Sequence, residues 1–184
     1  WSPEHVRNLA IGYDHSRIYP RPDQIPRMAQ MNIQASIGPK YLESNGSGEG
    51  LVELYGREIV DEWQVPTRSL VEGGVLTAWE IDTHAITQRP GNAFYYLQLL
   101  VTRNIDGEIY GAQNRVDRLT ALYTATRWAA EYVRRADTLG SIEPGKWADM
   151  VVLERDYMSI PDEEIHTANP VMVFVAGEVE YQEQ

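Results

Sequence analysis

Three short apolar runs, at residues 10–15, 33–37 and 75–79, each lead directly or across a short turn into polar residues able to do chemistry. Asp14 and His15 close the first, Lys40 and Tyr41 follow the second past Gly38-Pro39, and Glu80, Asp82 and His84 follow the third. Between the runs the apolar spacing is helical. Ile25, Met28 and Ala29 share one face, with Asp23 as the expected N-cap and Pro26 tolerated in the first turn. Pro66 opens a further helix through Leu70 and Val71, which Gly73-Gly74 stops. Alternating strand and helix is the grammar of parallel α/β structure, where ligand-binding groups collect at the C-terminal ends of the strands.

A closed (β/α)8 barrel takes ~250 residues, whereas this chain has 184 and changes character beyond Gly140. Three strands cannot close a barrel, so either further strands lie outside this sequence or the sheet is open. The chain opens on Trp1 rather than Met, which reads as a processed, truncated or incomplete start.

Residues 92–102 and 117–130 carry helix-period apolar positions, Leu119, Leu122, Tyr123 and Ala130 among them, and 120–125 holds no breaker. The Gly/Ser-rich residues 44–50 have too little apolar content to bury and are expected as a mobile surface loop. Beyond Gly140, residues 147–153 read as a strand, 161–165 as a helical turn, and 171–175 with 179–181 as a hairpin around Ala176-Gly177-Glu178. There is no internal repeat. Trp63, Trp79, Trp128 and Trp147 are expected in the core, and His5 and His166 at the surface.

Composition removes several function classes. With no cysteine, disulfide scaffolds, thiolate zinc sites and cysteine nucleophiles all drop out, leaving His, Asp, Glu and Lys for metal or acid–base work. The net charge is −11 without any basic stripe, which argues against nucleic acid as a partner. No apolar stretch approaches the ~20 residues of a membrane span, so no membrane partner is expected. A cysteine-free chain suits both cytosol and periplasm; the cytoplasm is favoured.

The segment Gly140-Ser141-Ile142-Glu143-Pro144-Gly145-Lys146-Trp147-Ala148-Asp149-Met150-Val151-Val152-Leu153 closely resembles the stretch by which amidohydrolases leave their barrel and enter a small β-sandwich. Arg118-Leu119-Thr120-Ala121-Leu122-Tyr123-Thr124-Ala125-Thr126 resembles the family's penultimate helix. Upstream, Asp14-His15, the helical stretch after Pro22 and Asn32-Ile33-Gln34-Ala35-Ser36 are similar to the strand-six region of amidohydrolase family three, and Val101-Thr102-Arg103 echoes the same branch. The resemblance implies an α/β chain made of the C-terminal part of a (β/α)8 TIM-type barrel plus a small β-sandwich tail. Residues 1–139 would carry strands six to eight, and residues 140–184 the β-rich segment of the sandwich. The N-terminal barrel strands would be absent from this chain and supplied as a partner portion, by the same or a second chain.

In that family the barrel holds one or two divalent ions, commonly zinc, through a His-x-His pair on strand one, a mid-barrel carboxylate, histidines after strands five and six and an aspartate after strand eight. By position, the resemblance makes His15 the strand-six metal ligand and Asp82 both a metal ligand and the catalytic base. Lys40, Tyr41 and His84 become candidate substrate-binding residues at the barrel mouth. No His-x-His occurs here, in keeping with strands one to five preceding Trp1. Where the family often has Gly-Ser-Asp this chain has Glu80-Ile81-Asp82, so Glu80 competes with Asp82 for the assignment. Arg103 is expected to hold a carboxylate or a helix C-terminus, and Asp149 to serve structure.

These residue types fit metal-assisted hydrolysis. Imidazole nitrogen and carboxylate oxygen both suit zinc, and an aspartate can take a proton from attacking water and return it to a leaving nitrogen. The leading expectation is therefore a metal-dependent hydrolase of C–N bonds in small amide, cyclic amide or N-acyl substrates. The alternative is a non-catalytic fragment or degenerate homologue serving as a structural or interaction module. The oligomeric state, a homodimer included, stays open.

Overall fold

The computed structural model describes residues 2–45, 50–82 and 93–183, and of 44 and 45 the backbone alone. His84 and the centre of the Gly/Ser-rich loop lie outside the described residues. After helix α1 (Pro3–Leu9) come strand β1 (Gly12–Tyr13), helix α2 (Ile25–Gln30) and strand β2 (Gln34–Ile37). Helices α3 (Leu51–Tyr55), α4 (Arg57–Trp63) and α5 (Thr67–Glu72) then lead to strand β3 (Thr77–Trp79). The three strands form one parallel sheet in the order β1-β2-β3, with Tyr13 opposite Ala35 and Ala35 opposite Thr77. Every residue of β2 is buried, as a central parallel strand covered on both faces must be. Because the strands run the same way, their C-terminal ends meet at one edge, and the polar residues that follow them are brought together there.

The elements start and stop for local reasons. Ser2 caps α1 by accepting the His5 amide, with Pro3 in the first turn. Asp23 does not cap α2; it lies in a 3₁₀ turn, Pro22–Gln24, closed by Arg21 and Gln24, and α2 begins at Ile25. Pro66 stands just before α5, and Gly74 at φ +77 lets the chain leave it.

The long helix expected at 117–130 is two. Asp117 caps helix α7 (Arg118–Ala125) by accepting the Thr120 amide, but Thr126 at φ −125, ψ −87 breaks the run before helix α8 (Arg127–Tyr132). Its hydroxyl donates back to the Leu122 carbonyl (2.7 Å), the competition by which threonine bends helices. Gly140, at φ +88, passes so close to the break that a Cβ there would stand 2.6 Å from the Ala130 Cβ and 3.0 Å from the Thr126 carbonyl oxygen. Gly140→Ala is therefore expected to destabilise by about 1–3 kcal/mol through left-handed backbone strain and overpacking. An unchanged urea midpoint would show that the break does not need this glycine.

Helix α6 (Ala93–Thr102) is the most buried helix surface, with Leu97, Leu99 and Leu100 at 3% exposure or less. It is followed by a small hairpin of β4 (Asn104–Ile105) and β5 (Glu108–Ile109). The C-terminal sheet is antiparallel, β6 (Met150–Leu153), β7 (Pro170–Val175) and β8 (Glu178–Gln182), with the β7–β8 turn at Ala176-Gly177, both at positive φ, as two-residue hairpin turns require. Asp149 accepts the Ala176 amide (2.7 Å) and so pins that turn. Between β6 and β7, Tyr157, Ile160 and Ile165 join the same core as α6. Arg118 ties this segment down through the Tyr157 carbonyl and Asp162. Trp147 departs from its expected burial: it is 52% exposed, with the Arg135 guanidinium 5.1 Å above its ring, since a cation on the ring face tolerates water on the other side. Along β6, β7 and β8, Val151, Val152, Val175, Val179 and Tyr181 are 46–52% exposed.

Candidate metal and acid–base site

The turn after β1 is built to present His15. His15 and Ser16 both have positive φ, +74 and +36. The fully buried Ser16 hydroxyl donates to the Ser36 carbonyl of β2 (2.9 Å) and bonds the Tyr13 hydroxyl (3.0 Å). The His15 amide donates to Asp14 Oδ1 (3.0 Å), and the imidazole meets the Tyr41 ring edge-on at 5.7 Å.

Glu80, at the end of β3, reaches across β2 to His15, placing Oε1 3.2 Å from Nδ1. Gly38 makes this possible, because a Cβ there would collide with Glu80 Oε1 and with the Tyr41 ring. Burial raises the Glu80 pKa, which the His15 contact opposes; the same contact is the main cause of a raised His15 pKa.

Asp82, at φ +47, is gripped from β2. Lys40 Nζ lies 2.8 Å from Asp82 Oδ2 and also donates to the Asp82 carbonyl, while the Tyr41 hydroxyl donates to the same Oδ2 at 2.7 Å. Lys40 is only 8% exposed, its ammonium 5.1 Å from the Tyr41 ring centre. Lys40 first, and Tyr41 second, hold the Asp82 carboxyl down at about 2. Burial and the Asp82 contact push the Tyr41 phenol up.

The structure thus brings His15, Lys40, Tyr41 and Asp82 to one edge, where Tyr41 stands edge-on to the His15 ring and bonds Asp82. Lys40 and Tyr41 direct their polar ends at Asp82. The residue that sequence reasoning undervalued is Glu80; its signal was an ionisable side chain where the resembling family has glycine. Asp14, His15 and Glu80 each offer one ligand atom, all within 4.8 Å of one another. One imidazole and two carboxylates form a donor set that fits a divalent ion such as zinc. Asp82, expected to share the ion with His15, is not one of these three; its Oδ2 faces Lys40 and Tyr41, while Glu80 takes the place beside the histidine.

The sequence matches the model of the amidohydrolase family over residues 2–181. In fold it is similar to an uncharacterized metal-dependent hydrolase from Pyrococcus horikoshii, with a TM-score of 0.70 and 20% identity, covering 88% of this chain and 32% of that one. A metal-dependent hydrolase from Pyrococcus furiosus gives 0.65 and 22% over 80% of this chain and 29% of the other. A mutant of atrazine chlorohydrolase from Arthrobacter aurescens, complexed with zinc and atraton, gives 0.65 and 19% over 94% of this chain and 37% of the other. No protein with a curated description matches. At these identities the likeness is one of fold, and the chain spans about a third of the length of each of these structures.

Proposed function

The chain belongs to the amidohydrolase family, and from that premise we propose that it supplies strands six to eight of a (β/α)8 barrel which hydrolyses C–N bonds in small amide, cyclic amide or N-acyl compounds with the help of a divalent ion. The observation that carries this reading is that the ends of β1 and β3 bring His15 and Glu80 into contact across β2, with Asp82 held beside them by Lys40 and Tyr41 from the end of β2. The exposed apolar residues of β6, β7 and β8 support a second part of the proposal, that residues 140–184 are one side of a small sandwich.

A divalent ion bound here supplies Lewis acidity, polarising the scissile carbonyl and making water a better nucleophile. His15 is proposed to hold it. Asp82 receives the proton of the attacking water and hands it to the leaving nitrogen. Lys40 and Tyr41 both engage Oδ2, so the proton is assigned to Oδ1. Their grip keeps Asp82 ionised at neutral pH, and makes it a weaker base. It also makes the protonated carboxyl a strong acid, which suits the second transfer, when the nitrogen must leave with a proton.

Elemental analysis of the intact protein is expected to find near-stoichiometric zinc or a similar ion, one or two per chain. Chelation should abolish hydrolysis, and His15→Asn, whose amide tolerates positive φ, should lower metal occupancy without unfolding. A metal-free protein that still hydrolyses its substrate would overturn the proposal, and a metal-free inert one would favour the structural module.

A further inference from the structure

We propose that Glu80 is a positioning residue: it holds His15 by Nδ1 so that Nε2 is the nitrogen offered to the ion. The inference rests on His15 being a ligand, as proposed above, and takes Glu80 out of the group of three possible donors, assigning it to the histidine instead of the ion. An ionised carboxylate can only accept, so the 3.2 Å contact of Glu80 Oε1 with Nδ1 puts the ring proton on Nδ1 and leaves the lone pair on Nε2. Metal-binding histidines are commonly oriented in this way, by a carboxylate on the ring nitrogen that does not meet the metal.

The arrangement is built across all three strands. Gly38, at the end of β2, vacates the space that the Glu80 carboxylate and the Tyr41 ring fill. Tyr41 closes on the imidazole edge at 5.7 Å, and the Ser16 bond to Ser36 anchors the turn that carries the ring. Glu80 is itself only 18% exposed along its side chain. A solvated glutamate at a loop would be free to leave the histidine. This one is packed over Gly38, with the imidazole 3.2 Å from its carboxylate.

The test is the zinc dissociation constant of the intact enzyme, measured by chelator competition, with circular dichroism as the folding control. Glu80→Ala is expected to weaken zinc about 10- to 100-fold, the usual effect of losing such a partner. Glu80→Gln keeps an acceptor oxygen for the Nδ1 proton and is expected to recover most of that loss. Gly38→Ala changes no polar group and is expected to weaken zinc in the same range as Glu80→Ala by displacing the carboxylate. Unchanged affinity in Glu80→Ala would overturn the inference. So would near-complete loss of binding in both Gln and Ala variants, since that marks Glu80 as a direct ligand alongside Asp14. Wild-type protein that binds no zinc would remove the metal-centre reading itself, and this inference with it.

Discussion

Asp82→Asn is expected to reduce turnover by at least about 100-fold, the scale of a lost general base, while the protein stays folded. Asparagine is the discriminating replacement because position 82 has φ +47, a conformation that Asn adopts as readily as Asp and that alanine would occupy at a cost of roughly 1 kcal/mol. Shape and an oxygen acceptor for the Tyr41 hydroxyl are kept. What disappears is the negative charge facing Lys40 and the basicity needed to accept a proton. Lys40 retains its bond to the carbonyl of residue 82, and the carboxylate side chain is 34% exposed, so the pair is partly screened and its loss should leave the fold standing. Steady-state kinetics beside a thermal melt decide the matter. A folded variant within tenfold of wild-type kcat would remove Asp82 from the proton path and return the assignment to Glu80.

Much of this site could be read along the chain because its residues sit at fixed places relative to short strands. His15 and Asp82 follow apolar runs, and a parallel sheet gathers such positions at one edge whatever the details of its helices. The hairpin at Ala176-Gly177 and the helix between Pro66 and Gly73 were equally local, since proline, glycine and turn chemistry act within a few residues. Contacts that join distant positions could not be read in this way. Glu80 meets His15 across 65 residues of chain, and nothing in the sequence near either residue says that Gly38 clears the path between them. Helices α3 and α4 carry weak periodicity, five and seven residues long, and are held by packing. The break at Thr126 depends on a hydroxyl choosing the Leu122 carbonyl, a local option that the unbroken apolar pattern conceals. Arg103 was expected to hold a carboxylate or a helix end, and it binds the carbonyl of Gln64, which ends α4; its two other partners were invisible in the sequence.

Arg103→Met is expected to cost about 2–6 kcal/mol, the scale of leaving two buried carbonyls without a donor. The guanidinium is completely buried and spends its fork on backbone: Nε donates to the Tyr110 carbonyl (2.8 Å), one terminal nitrogen to Val65 (2.9 Å) and the other to Gln64 (2.8 Å). Burial pulls its pKa down while the nearby Asp61 charge opposes this, and an arginine remains cationic at neutral pH. Methionine fills much of the same volume without strain, so the measured loss reports the Tyr110 and Gln64 carbonyls left without this donor, each costing about 1–3 kcal/mol before the surroundings relax, while the Val65 carbonyl keeps the Thr67 amide (2.7 Å). Lysine should fare little better, because a single ammonium cannot reproduce the planar fork.

The clamp also bears on the site. Val65 is held at φ +45, an uncommon conformation for a β-branched residue, and its amide donates to the Ser16 carbonyl beside His15 (3.2 Å). The neighbouring Gln64 side chain donates to the Tyr41 carbonyl (2.7 Å). Arg103 therefore fixes, from below, the two residues that brace the turns carrying His15 and Tyr41. Loss of stability in Arg103→Met should be accompanied by weaker metal retention, although residue 103 bonds none of the candidate ligands. Urea unfolding with an unchanged m-value gives the first quantity and metal content after dialysis the second. A loss under about 1 kcal/mol would mean that the Tyr110 and Gln64 carbonyls find other donors and that the strained turn at Val65 stands without its clamp.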